Sequence, residues 1–501
     1  MNNFWQAKID QSTLEALGKI EWGALTPAWV GIIGVLIVLL ADLLLPKSQK
    51  SAVAWLSFLV VVVAIVGAFL FMDTKASAFQ NMVAADEMSR YMAVIIFGAA
   101  AVMILASPDY LARIGLEARG EYYSITLAAA VGMWLLAVSI NFITFFIALE
   151  IFSISLYILA GFLPRSTRSH EAGFKYFLLS SFASAIMLYG MALIFGATGS
   201  TGYGKILEYL TANGISGDKG WLVLFGMAMI AVGFAFKISA VPFHLWTPDV
   251  YEGSPTPVTA LMAVGTKAAI IAAFIRTFGG AFEPIRNQWQ PLLWVLAATT
   301  MIIGNFLAVS QNNVKRLLAY SAVAQAGYLL VGIAVDTDFA REAVLYYILT
   351  YSVVTLGAFT VVMALEGPRG EGQDLRDFGG IAKTNPWLAA VMALCLLSLG
   401  GIPPTAGFFG KALVFASAIE LGGWWLALAL IGIVTSLIAI FYYFRIVIAM
   451  YMGVDSRSVA RKAQTGRPAW SLGIVVILAG IGSILLGIFA GSLVQWAQTA
   501  A

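Results

Sequence analysis

The 501-residue sequence has one cysteine, Cys395, and two histidines, His170 and His244. A lone thiol excludes an internal disulfide and any thiolate cluster, and two histidines without cysteine companions make no plausible metal site. No cofactor is expected in this chain, and electron-carrying groups, if its reaction needs them, belong to other chains. Charge is scarce too. Only 11% of residues are Asp, Glu, Lys or Arg, and the net charge of +3 is spread over loops, which excludes a nucleic-acid partner held by a basic surface.

What the sequence has in excess is apolar surface. Hydrophobic residues make up 60% of the chain and the mean hydropathy is +0.89, more than a soluble core can hide. Apolar runs of about 20 residues recur from end to end, which predicts an all-α polytopic membrane protein with about 14 transmembrane helices. They fall near 28–46, 51–72, 91–107, 121–138, 141–163, 171–197, 221–246, 256–278, 290–309, 316–335, 341–365, 385–419, 424–450 and 469–495. The first run begins near Thr26 after a mixed-charge amphipathic stretch, so it reads as a span and not as a cleavable signal peptide. The longest polar loops, 366–384 and 453–468, are too short to fold alone, leaving a single membrane domain over 1–501.

With the amino terminus outside, inner loops and helix ends hold sixteen Lys and Arg, among them Lys47, Arg165, Arg168, Lys315, Arg316, Arg457, Arg461 and Lys462, against nine in outer segments. That bias predicts both termini outside. Two stretches, "AVPFHLW" at 240–246 and "GIPPTAGF" at 401–408, put proline inside otherwise continuous apolar segments. Proline there breaks the helix, which a bilayer tolerates only where the freed groups face protein or internal water. Two such breaks suggest two inverted-repeat halves, 121–278 and 290–450, flanked by amino-terminal helices within 28–138 and a last helix at 469–495.

Charges inside spans carry the functional signal. Glu150 lies nine residues into its span, roughly 14 Å deep, where the side chain cannot easily reach the interface. Lys237 precedes the first break, Lys267 sits in the middle of the next span, and Lys411 follows the second break. Each charge at a helix centre costs at least about 2.5 to 3.5 kcal/mol. Structural ion pairs are one explanation, but one carboxylate cannot neutralise three lysines. A proton relay is the other, with His244 between Lys237 and Lys267 as a further member. Lys175, one turn into its span, either reaches the interface or feeds the row. Asp42 reads as a structural charge near a helix end, Asp249 and Glu252 as helix caps or, alternatively, proton collectors, and Lys315 and Arg316 mainly as topology signals.

The stretches "KISAVPFHLWTPDVYEGSPTPVTA" at 237–260, "NNVKRLLAYSAVAQAGYLL" at 312–330 and "GIPPTAGFFGK" at 401–411 resemble the antiporter-like membrane subunits of respiratory complex I, NADH:quinone oxidoreductase, and within them the subunit N branch. The resemblance spans nearly the whole chain. It implies a proton-translocating translocase subunit without covalent chemistry of its own. FMN, iron–sulfur clusters and quinone would sit in partner subunits, and antiporter-like paralogues would be its neighbours in a bacterial plasma membrane. It implies Glu150 and Lys237 as a coupling pair, Lys267 as the central relay, Lys411 as the outer exchange site, and His244 and Lys175 as accessory links. Where the family often has histidine, this chain has Gln325. The short tail after the last span argues against the largest paralogue, which continues into a long lateral helix. A multisubunit cation/proton antiporter and a small-solute secondary transporter remain as alternatives, the latter leaving the lysines unexplained.

Overall fold

A computed structural model of the chain describes residues 21–46, 50–74, 76–116, 119–367, 371–453 and 470–501. The mixed-charge stretch before residue 21, Lys47, and Arg457, Arg461 and Lys462 in the loop after 453 lie outside the described residues.

Among these residues thirteen helical segments are long and apolar enough to cross a membrane. They comprise α1 (Thr26–Leu44), α2 (Ser51–Phe71), α3 (Glu87–Arg113), α4 (Gly120–Val138), α5 (Phe142–Ala160), α6 (Thr167–Thr198), α8 (Gly220–Ile238), α10 (Thr256–Arg276), α11 (Arg286–Val309), α12 (Val314–Val335), α13 (Asp338–Leu365), α16 (Gly423–Met452) and α17 (Trp470–Ile488). Shorter helices intervene: α7 (Tyr203–Asn213), α9 (Trp246–Gly253), α14 (Pro386–Gly400), α15 (Ala406–Leu421) and the terminal α18 (Ala490–Ala500). A small hairpin, β1 (Ala76–Ala78) with antiparallel β2 (Val83–Ala85), joins α2 to α3. The span over 385–419, expected to be broken at its prolines, is two half-length helices, α14 and α15. At 1.5 Å per residue neither covers a hydrocarbon core of about 30 Å alone.

Both breaks follow one plan. Helix α8 ends on Ser239, which turns left-handed at φ +67°, and a cis Val241–Pro242 bond follows. Helix α14 ends on Gly401 at φ +79°, followed by cis Pro403–Pro404. The groups freed at the first break find partners inside the protein. The Val241 amide donates to Thr300 Oγ1 at 2.9 Å, Trp246 Nε1 donates to the Phe236 carbonyl at 3.1 Å, and Thr247 Oγ1 donates to Ser239 Oγ at 2.7 Å. That satisfaction is what permits broken backbone at membrane depth.

The centre of the bundle is α10, whose most apolar window is 100% buried, with α12 and α13 beside it at 94% and 89%. Helices α1 and α16, at 39% and 33%, form its rim. Close crossings need small residues: a Cβ added at Gly190 of α6 would meet the Gly226 carbonyl oxygen of α8 at 2.6 Å. Asp86 fixes the start of α3 by accepting from the Ser89 amide at 2.9 Å, and both its oxygens accept from Arg276 at the end of α10 at 2.7 Å. Burial alone would raise the Asp86 carboxyl, but the Arg276 charge and the hydrogen bonds from Arg276 and Ser89 outweigh it and bring the pKa down to about 2.

Candidate functional site

Four lysines are buried at 4% exposure or less: Lys315 in the first turn of α12, and Lys237, Lys267 and Lys411 on three other helices, each in a different setting. Lys237 lies in the last turn of α8. Its Nζ donates to Ser153 Oγ of α5 and Ser180 Oγ of α6, both at 2.7 Å. The rings of Phe152, Tyr157 and Tyr176 surround it at 5.3 to 6.0 Å from Nζ to centroid. Two hydroxyls and three π-faces thus hold an ammonium that touches no carboxylate among the described residues.

Glu150 is therefore not an ion-pair partner of Lys237. It sits three residues before Ser153 on α5, and its buried Oε1 has no hydrogen-bond partner. Its helix face explains the separation. Ile143, Ile147, Ile154 and Ile158, at 49 to 55% exposure, form one outward stripe, and Glu150 falls within it at helical spacing.

Lys267 lies in the middle of α10, 1% exposed, and no hydrogen bond or ion pair joins its Nζ to another described residue. An isolated buried ammonium is costly, so this position favours a water partner or a neutral amine. One turn earlier, the Ala263 carbonyl accepts from the Tyr351 hydroxyl of α13 at 3.2 Å.

Lys411 shows what the second break is for. The carbonyls of Leu399 and Gly400, at the cut end of α14, accept from Lys411 Nζ at 2.8 and 3.3 Å. Ser436 Oγ accepts at 2.9 Å, and the Tyr328 ring lies 4.7 Å away. A helix C-terminus presents its last carbonyls and the negative end of its dipole. Breaking the span brings that end against buried Lys411, where it stands in for a carboxylate.

His244 lies in the first break, 6% exposed, its Nδ1 without a partner and its ring 6.5 Å from that of Tyr320. Lys175 is not brought together with the buried lysines. It is half-exposed and pairs with Glu171 at 2.6 Å and Asp249 at 2.9 Å. Arg316 pairs with Asp249 at 2.8 Å and Glu252 at 3.0 Å, and Arg168 approaches Glu252 at 3.9 Å, completing a balanced cluster around a surface cavity. Burial would raise the Asp249 carboxyl, but the hydrogen bonds from Lys175 and Arg316 outweigh it and hold the group below the usual carboxylate range. Asp249 and Glu252 therefore serve the ion-pair cluster, beyond the capping role expected of them. Asp42, read as structural, pairs with Lys50 at 3.2 Å.

Sequence reasoning missed Ser153 and Ser180, which as serines in apolar helices look unexceptional. It also missed the burial of Lys315, 1% exposed and donating to the Ser254 carbonyl at 2.7 Å, because the neighbouring Arg316 made the pair look like a loop charge. Glu366 is buried as well, accepting from Gln373 Nε2 at 2.7 Å, Tyr110 at 3.2 Å and Thr256 Oγ1.

Residues 139–439 match the family described as NADH:quinone oxidoreductase/Mrp antiporter, TM. Proteins named NADH-quinone oxidoreductase subunit N from Trichlorobacter lovleyi and Myxococcus xanthus are each 39% identical to this chain, covering 98% and 97% of it and 99% and 98% of their own lengths. A chain of respiratory complex I from Thermus thermophilus with bound aureothin is similar in structure, with TM-score 0.78, 32% identity, and coverage of 94% of this chain and 98% of that one. A chain of the Mrp complex from Dietzia sp. DQ12-45-1b has TM-score 0.81 at 21% identity, covering 95% of this chain and 96% of its own, a likeness of fold alone.

Proposed function

Because the chain belongs to the NADH:quinone oxidoreductase/Mrp antiporter transmembrane family, we propose that it is the subunit N type proton-translocating membrane subunit of a redox-driven NADH:quinone oxidoreductase. Electron transfer runs in partner subunits, where FMN, iron–sulfur clusters and quinone belong, and reaches this chain as a change of field or shape. The chain itself makes and breaks no covalent bond other than those to protons.

The observation that carries this reading is the burial to 4% exposure or less of Lys237, Lys267 and Lys411 on three helices, none touching a carboxylate among the described residues; Lys315, equally buried, is held in the first turn of α12 by the Ser254 carbonyl. Permanent structural charges would be paired, because unpaired ones cost several kcal/mol each. Groups that gain and lose a proton in turn need settings that tolerate both forms, and hydroxyls and carbonyls supply them at Lys237 and Lys411. Glu150 biases Lys237 through its field, a protonation change at Lys237 alters that of Lys267, and Lys411 exchanges with the far side. His244, with a free ring nitrogen in the break, is placed to link the row, and Lys175 serves the charged cluster at one mouth. Both termini lie outside a bacterial plasma membrane in this reading.

Replacing Lys267 with alanine tests it. NADH-driven proton uptake by membrane vesicles should fall with quinone reduction while complex content stays normal. Unchanged uptake would remove Lys267 from the path, and loss of assembly would make it structural. Uptake that depends on added sodium in a chain without redox partners would favour the cation/proton antiporter instead.

A further inference from the structure

Gln325, at a position where the resembled family often has histidine, is fully buried on α12 and makes three hydrogen bonds. Its Nε2 donates to the Leu399 carbonyl at 3.0 Å and to the Tyr443 hydroxyl at 3.3 Å, and its Oε1 accepts from the Tyr347 hydroxyl. The Leu399 carbonyl is the one that Lys411 Nζ reaches at 2.8 Å. Two donors of different kinds thus converge on a single acceptor. The amide keeps the same charge in every state, whereas the lysine, on the proposed function, gains and loses a proton. A carboxamide neither takes up nor releases a proton under ordinary conditions, so Gln325 is no station for a travelling proton.

The shared acceptor gives it another role. While Lys411 is an ammonium, Leu399 has two donors. When the proton leaves, the amine's hold on the carbonyl weakens, and the amide remains as the fixed donor. A buried carbonyl left without a donor carries a desolvation penalty. The amide removes that penalty from the neutral state alone. We propose that Gln325 is a positioning residue that sets how readily Lys411 releases its proton, by sharing the Leu399 carbonyl at the cut end of α14.

The surroundings of Lys411 leave few competing controls. Tyr328 of α12 presents its ring at 4.7 Å, Tyr347 of α13 lies against Gly410, Tyr443 of α16 lies against Gly400, and Ser436 of α16 accepts from Nζ at 2.9 Å. Helix α14 offers Cys395 as its titratable group, and α17 has none. No charged side chain among the described residues forms an ion pair with Lys411.

The inference rests on the proposed function, and the experiment keeps the two apart. The assembled complex would be studied in membrane vesicles, recording NADH-driven proton uptake and quinone reduction against pH. Gln325→Met preserves side-chain length and removes the donor. Its profile should move to higher pH by about one unit, a tenfold change in proton release on the scale of one buried hydrogen bond. Tyr347→Phe removes another of the Gln325 hydrogen bonds but leaves the Leu399 contact, so its profile should match the wild type. An unmoved profile in Gln325→Met overturns the inference, as does an equal displacement in Tyr347→Phe, which would assign the control to the hydroxyl network. If Gln325→Met lowers complex content, Gln325→Glu decides. An ionised carboxylate cannot donate to Leu399 and pairs with Lys411, so uptake should fall at every pH, and normal uptake overturns the proposal. Lys411→Ala is the control for the parent reading: if it pumps normally that reading fails, whereas impaired Lys411→Ala beside a wild-type Gln325→Met rejects only the role of Gln325.

Discussion

Substituting Lys237 by arginine separates a lysine that titrates from one that merely fastens helices. The structure sets the terms. Lys237 Nζ ties α8 to α5 and α6 through Ser153 and Ser180 at 2.7 Å each. Arginine has five donors and a permanent charge, so it can renew both hydrogen bonds and the contacts with Phe152, Tyr157 and Tyr176. Its pKa, above about 12, leaves a neutral fraction of roughly one in 100,000 at pH 7, so a step that needs the neutral form slows by about five orders of magnitude. Lys237→Ala removes charge and hydrogen bonds together. It does not strand Glu150, because the two are not in contact, and Ser153 Oγ keeps its own acceptor in the Leu149 carbonyl at 2.5 Å. A fastening role predicts that arginine performs better than alanine. A titrating role predicts that both abolish NADH-driven proton uptake while arginine preserves complex content. Uptake by Lys237→Arg within twofold of wild type would refute the reasoning.

On the proposed function, Glu150→Gln removes the charge that biases Lys237 without breaking a contact; the complex should assemble fully and pump several-fold more slowly, and undiminished pumping in vesicles would place Glu150 outside the pathway. Lys175→Ala breaks half-exposed ion pairs worth about 0 to 1 kcal/mol, so uptake should stay above half of wild type, and a loss as deep as that of Lys237→Ala would return Lys175 to the row. The Asp86–Arg276 pair makes an acid-sensitive contribution. The folded-state pKa of Asp86 is depressed to about 2 from an ordinary 3.8, so the stability it lends is complete above 3.8 and is lost as pH falls towards 2. Thermal melts in detergent should show Asp86→Asn less stable than wild type at pH 7, with the gap closing as the pH approaches 2.

The lysines and the breaks were legible in the sequence because both violate the bilayer's rules. A charge at a helix centre and a proline in an apolar run are costly wherever they occur, so Lys237, Lys267, Lys411, Pro242 and Pro403 stand out against their surroundings. The partners that make them tolerable were not legible. Ser153 and Ser180 converge on Lys237 from two other helices, and nothing in a span's own pattern records where its neighbour crosses. The acceptors of Lys411 are backbone carbonyls, which every residue possesses. The distance between Glu150 and Lys237 depends on the azimuth of α5, and its outward stripe of isoleucines is visible only once α4 and α6 are seen covering the other face. The split of 385–419 into two helices was legible in Pro403 and Pro404, whereas the ends of α14 and α15 on either side of it were not.

The counter-charge of Lys411 has a genetic consequence. A carboxylate partner disappears with one codon change, but the carbonyls of Leu399 and Gly400 persist whatever side chains those positions carry. No substitution deletes them. Loss-of-function variants around Lys411 should therefore collect at positions that reshape the chain. Gly401 is the most exposed to this hazard: its φ of +79° disfavours any side chain, and an added Cβ would come within 3.0 Å of Lys411 Cδ. Substitutions at Leu399 itself, if they keep apolar bulk, should be nearly silent.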